Sequence, residues 1–130
     1  RLNLFHLLWK QRFDDRLLDP SIPIDRSDLK VADVGTGSGI WALDVFKSLP
    51  KGTIVDGLDI DLSQAPTKAS LPKNISFRHY NYYETPEPEL LGRYDIVHIR
   101  HTTTTIRNND PFEVIQNVSK LLKPGGYLQF

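Results

Sequence analysis

Val31-Ala32-Asp33-Val34-Gly35-Thr36-Gly37-Ser38-Gly39 is the stretch of sequence that decides the fold. Its first four residues are mostly apolar and predict a buried strand, after which glycine occupies every second position. The segment 40–46 that follows is predicted to be a helix. A strand, a tight glycine turn and a helix N-terminus let a ligand approach the backbone closely and meet free N–H groups.

Asp33 distinguishes between two classes of protein that use such a loop. A dinucleotide-binding loop reads Gly-x-Gly-x-x-Gly and holds a pyrophosphate, which a neighbouring carboxylate would repel, and Ile40 stands where its third glycine would be. A carboxylate at the strand end suits a cationic ligand instead. S-adenosylmethionine carries an ammonium, a sulfonium and no phosphate, so Asp33 favours it over a dinucleotide.

Three segments carry a resemblance to one family. Asp33-x-Gly35-x-Gly37-x-Gly39 resembles the first motif of class I S-adenosylmethionine-dependent methyltransferases; the alternative is an ordinary glycine turn in another α/β protein. Residues 94–100, Tyr-Asp-Ile-Val-His-Ile-Arg, resemble the fourth strand of fungal small-molecule methyltransferases of secondary metabolism. Residues 122–126, Leu-Lys-Pro-Gly-Gly, are similar to the family's turn into its fifth strand. The resemblance implies S-adenosylmethionine as the cofactor, bound at Asp33, Gly35, Thr36, Gly37 and Gly39.

Composition excludes several other kinds of protein. At 130 residues we expect one domain or a piece of one. The 16 basic residues balance 16 acidic ones, which gives no electrostatic footprint for nucleic acid or an anionic membrane. The sequence has no cysteine, which excludes disulfides, thiolate nucleophiles and cysteine zinc sites, and we expect no metal site. No run approaches the ~20 apolar residues of a membrane span and no signal peptide is evident, so we expect a soluble, cytoplasmic protein.

The chain is predicted to divide into an N-terminal helix with its linker, residues 1–29, and a cofactor-binding domain, residues 30–130. Phe5, Trp9, Phe13 and Leu17 recur every four residues, which predicts an amphipathic helix over residues 1–18 with this stripe buried. The helix either packs on the core or a neighbour, or resembles the family's helix that caps the cofactor cleft, with Trp9 as a lid.

Strands are predicted at 31–34, 53–60, 75–80 and 93–99, with a fifth from residue 126, and 62–74 is predicted to be a loop. Helices are predicted at 40–46 and from Pro111. A strand, a helix and a strand within ~30 residues form a right-handed βαβ unit with parallel strands. The resemblance implies an α/β, Rossmann-like three-layer sandwich with strand order 3-2-1-4-5. It also implies that the final two strands of the family fold are missing after Phe130.

An acidic residue ends the second strand. A carboxylate at this position can accept hydrogen bonds from both ribose hydroxyls, and Asp61 competes with Asp59 for the role. Gly57-Leu58-Asp59 resembles the family's Gly-x-Asp pattern, which favours Asp59 with Ile60 beside it.

The third strand is followed by Asn81, where the family commonly places an aspartate that reads the adenine edge. An amide can accept from the exocyclic amine and donate to the ring nitrogen, although a turn asparagine is an equal alternative. Tyr82 or Tyr83 would lie against the adenine face or pack beside the sheet.

Arg100, His101 and the threonines 102–105 follow the fourth strand, beside the ligand cleft that open α/β sheets form at this edge. We expect Arg100 to bind the cofactor and the threonines to lie in an irregular, pocket-lining loop. His101 is the candidate general base. His98 is a poorer candidate base, because strand alternation favours a position in the core.

The predicted function is methyl transfer from S-adenosylmethionine to an O, N or C atom of a small-molecule acceptor by in-line displacement. A non-catalytic cofactor-fold module acting through a protein partner is the alternative, and a nucleotide-dependent oxidoreductase is disfavoured by Asp33 and Ile40. No Gly-Lys-Ser/Thr follows the glycines, which excludes a phosphate-loop NTPase. An exposed fifth-strand edge would favour a homodimer or a covering partner chain, and we expect this piece alone to be inactive.

Overall fold

A computed structural model describes residues 2–100, 102 and 104–130. The candidate base His101 therefore lies outside the described residues. The described chain forms helices and strands with the following bounds: α1 Leu2–Arg12, β1 Lys30–Val34, α2 Ile40–Ser48, β2 Ile54–Asp59, β3 Ile75–His79, β4 Tyr94–Ile99, α3 Phe112–Ser119 and β5 Leu122–Gln129. Short 3₁₀ turns form at Lys68–Ser70 and Arg107–Asn109. In this described part, no helix combines the length and the apolar character needed to cross a bilayer.

The five strands form one parallel sheet in the order β3-β2-β1-β4-β5, which confirms the predicted fold class. β1 lies at the centre, between β2 and β4. In a parallel sheet all carboxyl ends share one edge, so the residues that follow each strand meet there.

Two apolar clusters fill the two faces of the sheet. Side chains alternate along a strand, so Val31 and Ala32 of β1 lie on opposite faces. Val31 packs in the cluster that contains Val45 of α2, and Ala32 packs in the cluster that contains Val114 and Val118 of α3. Helices therefore cover both faces, which is the predicted three-layer arrangement.

The predicted length of the first helix is wrong. α1 ends at Arg12 rather than at residue 18, because Asp14 and Asp15 adopt φ values of 52° and 61° in the left-handed region. The chain turns there, and Leu17 becomes buried in the cluster on the α2 face.

The predicted buried stripe is confirmed only in part, since Leu17 is buried and Trp9 is half-buried. Phe5 and Phe13 are 48% and 46% exposed, whereas His6 is 1% exposed. Periodicity identifies a stripe along a helix, but it does not show which face another element covers. Polar contacts select the covered face of α1.

The start of the fifth strand differs from the prediction as well. The Lys-Pro-Gly-Gly segment lies inside β5, because Leu122 already pairs with Tyr94. The next pair joins Tyr127 to Ile96. From the first pair to the second, β5 advances by five residues while β4 advances by two, so the register of the two strands shifts between these pairs. The segment therefore forms an irregularity within the strand rather than a turn before it.

Candidate functional site

A cleft of about 480 Å³ lies at the carboxyl ends of the strands, within the size range of small-molecule sites. Among the ten predicted cofactor residues, only Gly39 is absent from its lining. The other nine line the cleft: Asp33, Gly35, Thr36, Gly37, Asp59, Ile60, Asn81, Tyr82 and Arg100. Thr102 and Thr105, from the threonine run predicted to line the pocket, do so as well.

The glycines that open and close the loop are required for different reasons. Gly35 has φ of 72° with open space where a Cβ would lie, so only its backbone conformation demands glycine. Gly39 has φ of 75°, and a Cβ there would lie 2.4 Å from the ring of Phe77. Gly39 thus lets the start of α2 pack against β3, a structural role that the motif alone does not reveal.

Asp33 is buried, with 3% exposure, in the wall of the cleft. Its Oδ2 accepts a hydrogen bond of 2.7 Å from Thr36 Oγ1, and its Oδ1 lies 2.8 Å from Nδ1 of His98. The carboxylate therefore ties the glycine loop to β4. Each oxygen retains a lone pair with which to accept from a ligand.

His98 is buried, as predicted, and its ring stacks on Trp41 with 3.7 Å between ring centres and 3° between planes. Burial lowers the pKa of His98 below its usual range, although the Asp33 carboxylate acts to raise it. The imidazole is therefore neutral at neutral pH, and its Nδ1–H donates to Asp33.

Asp59 is the last residue of β2 and holds the glycine loop from a second direction. Its Oδ2 accepts from the backbone N–H of Gly37 at 2.7 Å, and its Oδ1 accepts from the backbone N–H of Asp61 at 3.0 Å. Asp61 lines the same cleft beyond the strand end, and a backbone hydrogen bond from Ser63 lowers the pKa of its carboxyl. The strand thus ends at the carboxylate that the sequence favours.

The loops that follow β3 and β4 are hydrogen-bonded to each other at the rim of the cleft. Asn81 Oδ1 accepts from the backbone N–H of Tyr83 at 3.0 Å, the geometry of an asparagine turn. The hydroxyl of Tyr82 bonds to Thr105 Oγ1, and the hydroxyl of Tyr83 accepts from the backbone N–H of Arg107 at 2.7 Å. The guanidinium of Arg107 lies 4.0 Å from the ring centre of Tyr83.

Arg100 reaches from the end of β4 toward α1. Its Nη2 donates to His6 Nδ1, and its guanidinium lies 5.4 Å from the ring centre of Trp9. Burial lowers the pKa of Arg100, whereas the carboxylates of Asp33 and Asp44 act to raise it. Apart from its position as a polar residue in an amphipathic helix, nothing in the sequence indicates that His6 is buried and contacts Arg100.

Three buried donors that line the cleft have no hydrogen-bond partner among the described residues: Trp41 Nε1, Tyr80 Oη and Arg100 Nη1. Trp41 and Tyr80 are 2% and 6% exposed, and burial raises the pKa of the Tyr80 hydroxyl, which keeps its proton. A buried donor without an acceptor costs about 1–3 kcal/mol. Three residues that line the cleft therefore carry a buried donor that the described residues leave without an acceptor.

Trp41 and Tyr80 were missed by the sequence reasoning, which treated them as parts of a helix and a strand. Their positions carried a signal nevertheless. Trp41 lies two residues after the glycine loop, and Tyr80 directly precedes Asn81. Both positions lie at the carboxyl edge of the sheet.

Sequence comparison shows which known proteins are related to this chain. Residues 7–130 match a family model described as a methyltransferase domain. The methyltransferase grgD of a Penicillium species is 37% identical over all of this chain, which covers 47% of grgD. The chain spans between a third and about half of the length of the curated relatives it matches.

Two solved structures share the fold. The [4+2]-cyclase SpnF superposes with a TM-score of 0.69 at 21% identity, over 92% of this chain and 44% of SpnF. The trans-methyltransferase CalH, in complex with SAH, superposes with a TM-score of 0.63 at 21% identity, over 78% of this chain and 31% of CalH. At these identities the likeness establishes the fold alone.

Proposed function

This chain belongs to the methyltransferase domain family, and from that premise we propose that it binds S-adenosylmethionine and directs methyl transfer to a small-molecule acceptor. The relative grgD is named as a methyltransferase, which supports methyl transfer, and the CalH complex with SAH supports the cofactor class.

The chemistry of the cleft fits this cofactor. Adenosine offers acceptor nitrogens and ribose oxygens, and the amino-acid part offers a carboxylate, so the buried donors of Trp41, Tyr80 and Arg100 would find acceptors. Asp33 and Asp59 supply carboxylates for the ammonium and the ribose hydroxyls. The open space at Gly35 leaves the backbone accessible to the ligand.

When bound, S-adenosylmethionine supplies an electrophilic methyl group on a sulfonium. The chain's residues then have the tasks of binding, orienting and excluding water. Asp59 would accept from the ribose, while its hydrogen bond to Gly37 keeps the loop in register with β2. Tyr82 and Tyr83, tied to the loop after β4, would shield the adenine. His101 remains a proposed base for an acceptor that must lose a proton.

One observation carries the proposal: Asp59 at the end of β2 contacts the glycine loop after β1, in a cleft that also contains the unpaired donors. A dinucleotide would place a pyrophosphate at this loop, beside Asp33. We therefore expect S-adenosylhomocysteine to bind and NAD not to compete.

Calorimetric titration of the chain with S-adenosylhomocysteine tests the proposal. Asp59→Ala should weaken binding tenfold or more, about 1.4 kcal/mol, because the ribose loses its acceptor. Asp61→Ala, the matched control in the same cleft, should change affinity little. Thermal unfolding of both variants reports whether Asp59→Ala acts only through the loop. Binding of NAD alone, or the reverse ranking of the two variants, would contradict the proposal.

A further inference from the structure

Helix α1 docks on the domain by its polar side chains. Among residues 3–12, His6 is the one buried side chain, at 1% exposure, while Leu4 and Leu7 are each 59% exposed. Asn3 accepts a hydrogen bond from Ser38 Oγ at 2.7 Å, beside the glycine loop. His6 is thus fully buried although most side chains of residues 3–12 are exposed, and this burial requires a physical explanation.

His6 bridges a carboxylate and a guanidinium. Its Nε2 lies 2.8 Å from Asp44 Oδ2, and its Nδ1 bonds to Arg100 Nη2. Because a guanidinium can only donate, Nδ1 accepts, and the proton of the neutral ring resides on Nε2 and is donated to Asp44. Lys10 Nζ lies 3.0 Å from the same oxygen of Asp44.

Asp44 remains ionised at neutral pH. Burial acts to raise the pKa of its carboxyl, but the hydrogen bonds from His6 and Lys10 hold it below its usual range. Asp44 therefore fixes the tautomer of His6, and His6 fixes the orientation of the Arg100 guanidinium. These hydrogen bonds form a continuous chain from α2 through α1 to the end of β4, which we call the Asp44–His6–Arg100 relay.

Arg100 forms no ion pair with a described residue, although the carboxylates of Asp33 and Asp44 act on it from a greater distance. Its protein partners are the neutral ring of His6 and the face of Trp9, and no described carboxylate lies within ion-pair distance of it. Its Nη1 is buried, unpartnered and part of a residue that lines the cleft. Arg100 as a whole is half-buried, and removing part of a cation from water is unfavourable unless an anion or hydrogen bonds compensate it, so the site suits an anionic ligand group.

We propose that the Asp44–His6–Arg100 relay holds Arg100 for the carboxylate of the cofactor's amino-acid part, with His6 as a positioning residue that itself touches no ligand. The inference rests on the proposed function. That carboxylate is the one anionic group of S-adenosylmethionine, and none of residues 3–12 lines the cleft. Helix α1 thus contributes to cofactor affinity through Arg100 rather than as a lid.

Affinities for two ligands distinguish the positioning of Arg100 by His6 from a general role of His6 in docking the helix. S-adenosylhomocysteine carries the carboxylate, and 5′-methylthioadenosine is the same adenosine thioether without the amino-acid part. His6→Ala should weaken S-adenosylhomocysteine at least tenfold in calorimetric titrations and change 5′-methylthioadenosine less than twofold. His6→Gln, whose amide can accept from Arg100 and donate to Asp44, should recover part of the loss.

Asn3→Ala is the matched control, since it removes another polar docking contact of α1 outside the relay. It should leave the ratio of the two affinities unchanged, and circular dichroism melting confirms that each variant folds. Equal weakening of both ligands by His6→Ala would make His6 a docking residue only and overturn the inference, as would unchanged affinity for both. Failure of the unaltered chain to bind either ligand would instead refute the proposed function.

Discussion

The Asp33–His98 pair shows how one residue of the glycine motif depends on a strand far along the chain. Asp33 accepts from Thr36 within its own loop and from His98, 65 residues away. The sequence predicts a ligand-binding role for Asp33 and a core position for His98, but it does not show that they are partners. The carboxylate is thereby oriented before any ligand arrives.

This pair predicts a loss of stability in mild acid. The pKa of His98 is lowered from 6.5 in the folded chain by burial, so below pH 6.5 the unfolded chain binds the extra proton and stability falls as pH falls. Between pH 7.5 and 5.5 the loss from this residue can reach about 1.4 kcal/mol. Urea unfolding at the two pH values measures it.

His98→Asn provides the comparison, because an asparagine amide can still donate to Asp33 but does not titrate. Its free energy of unfolding should be lower at pH 7.5, since stacking on Trp41 is lost, and should depend less on pH over this range. A pH dependence equal to that of the unaltered chain would show that His98 is not the group responsible.

At the scale of elements, the start of α2 is set by its packing against β3. Gly39 is the N-cap of α2, and a Cβ on it would meet the Phe77 ring, whereas a Cβ on Gly35 would meet nothing within 4 Å. Both positions have a positive φ, but only a side chain at Gly39 would meet a neighbour. Comparing substitutions at the two positions therefore distinguishes the cost of backbone strain from the cost of steric contact.

We expect Gly35→Ala to destabilise the chain by about 1–2 kcal/mol, the cost of a left-handed alanine. Gly39→Ala should cost more by about 1–3 kcal/mol, because the Phe77 ring must also move. Adding Phe77→Leu should recover part of the excess at Gly39 and none of the loss at Gly35. Urea unfolding of these variants provides the measurement, and equal losses at both glycines would contradict the steric argument.

At the scale of the whole molecule, β5 and α1 are two of the surfaces that leave apolar side chains exposed. β5 is the last strand of the sheet, with Tyr127 and Phe130 exposed at 41% and 55%, and α1 exposes several leucines. An edge strand presents N–H and C=O groups that another chain can pair. We propose that a second copy of the chain pairs along β5.

Sedimentation across a range of concentrations should then show a dimer that dissociates on dilution. Tyr127→Lys places a charge on the edge and should shift the equilibrium toward the monomer, whereas Leu4→Lys on α1 should not. A monomer at every concentration, or dissociation caused only by Leu4→Lys, would contradict pairing through β5.

The sequence by itself determined the fold and the location of the cleft. Alternating strands and helices, the glycine loop after β1 and the carboxylate at the end of β2 are local patterns, and the rules of parallel sheets bring their ends together. The carboxylate at the end of β2 could therefore be located from the sequence, and the boundaries of β1 to β4 differ by at most one residue from the prediction.

Only the tertiary structure decided which side chains meet. His6 and Arg100 are 94 residues apart, and Asp33 and His98 are 65 apart, so no periodicity or motif encodes either contact. The periodicity of α1 indicated its buried face only in part because hydrophobic burial on a helix depends on what covers it. A few buried polar pairs oriented that helix instead, since leaving Arg100 and His6 without partners would cost more than exposing leucines.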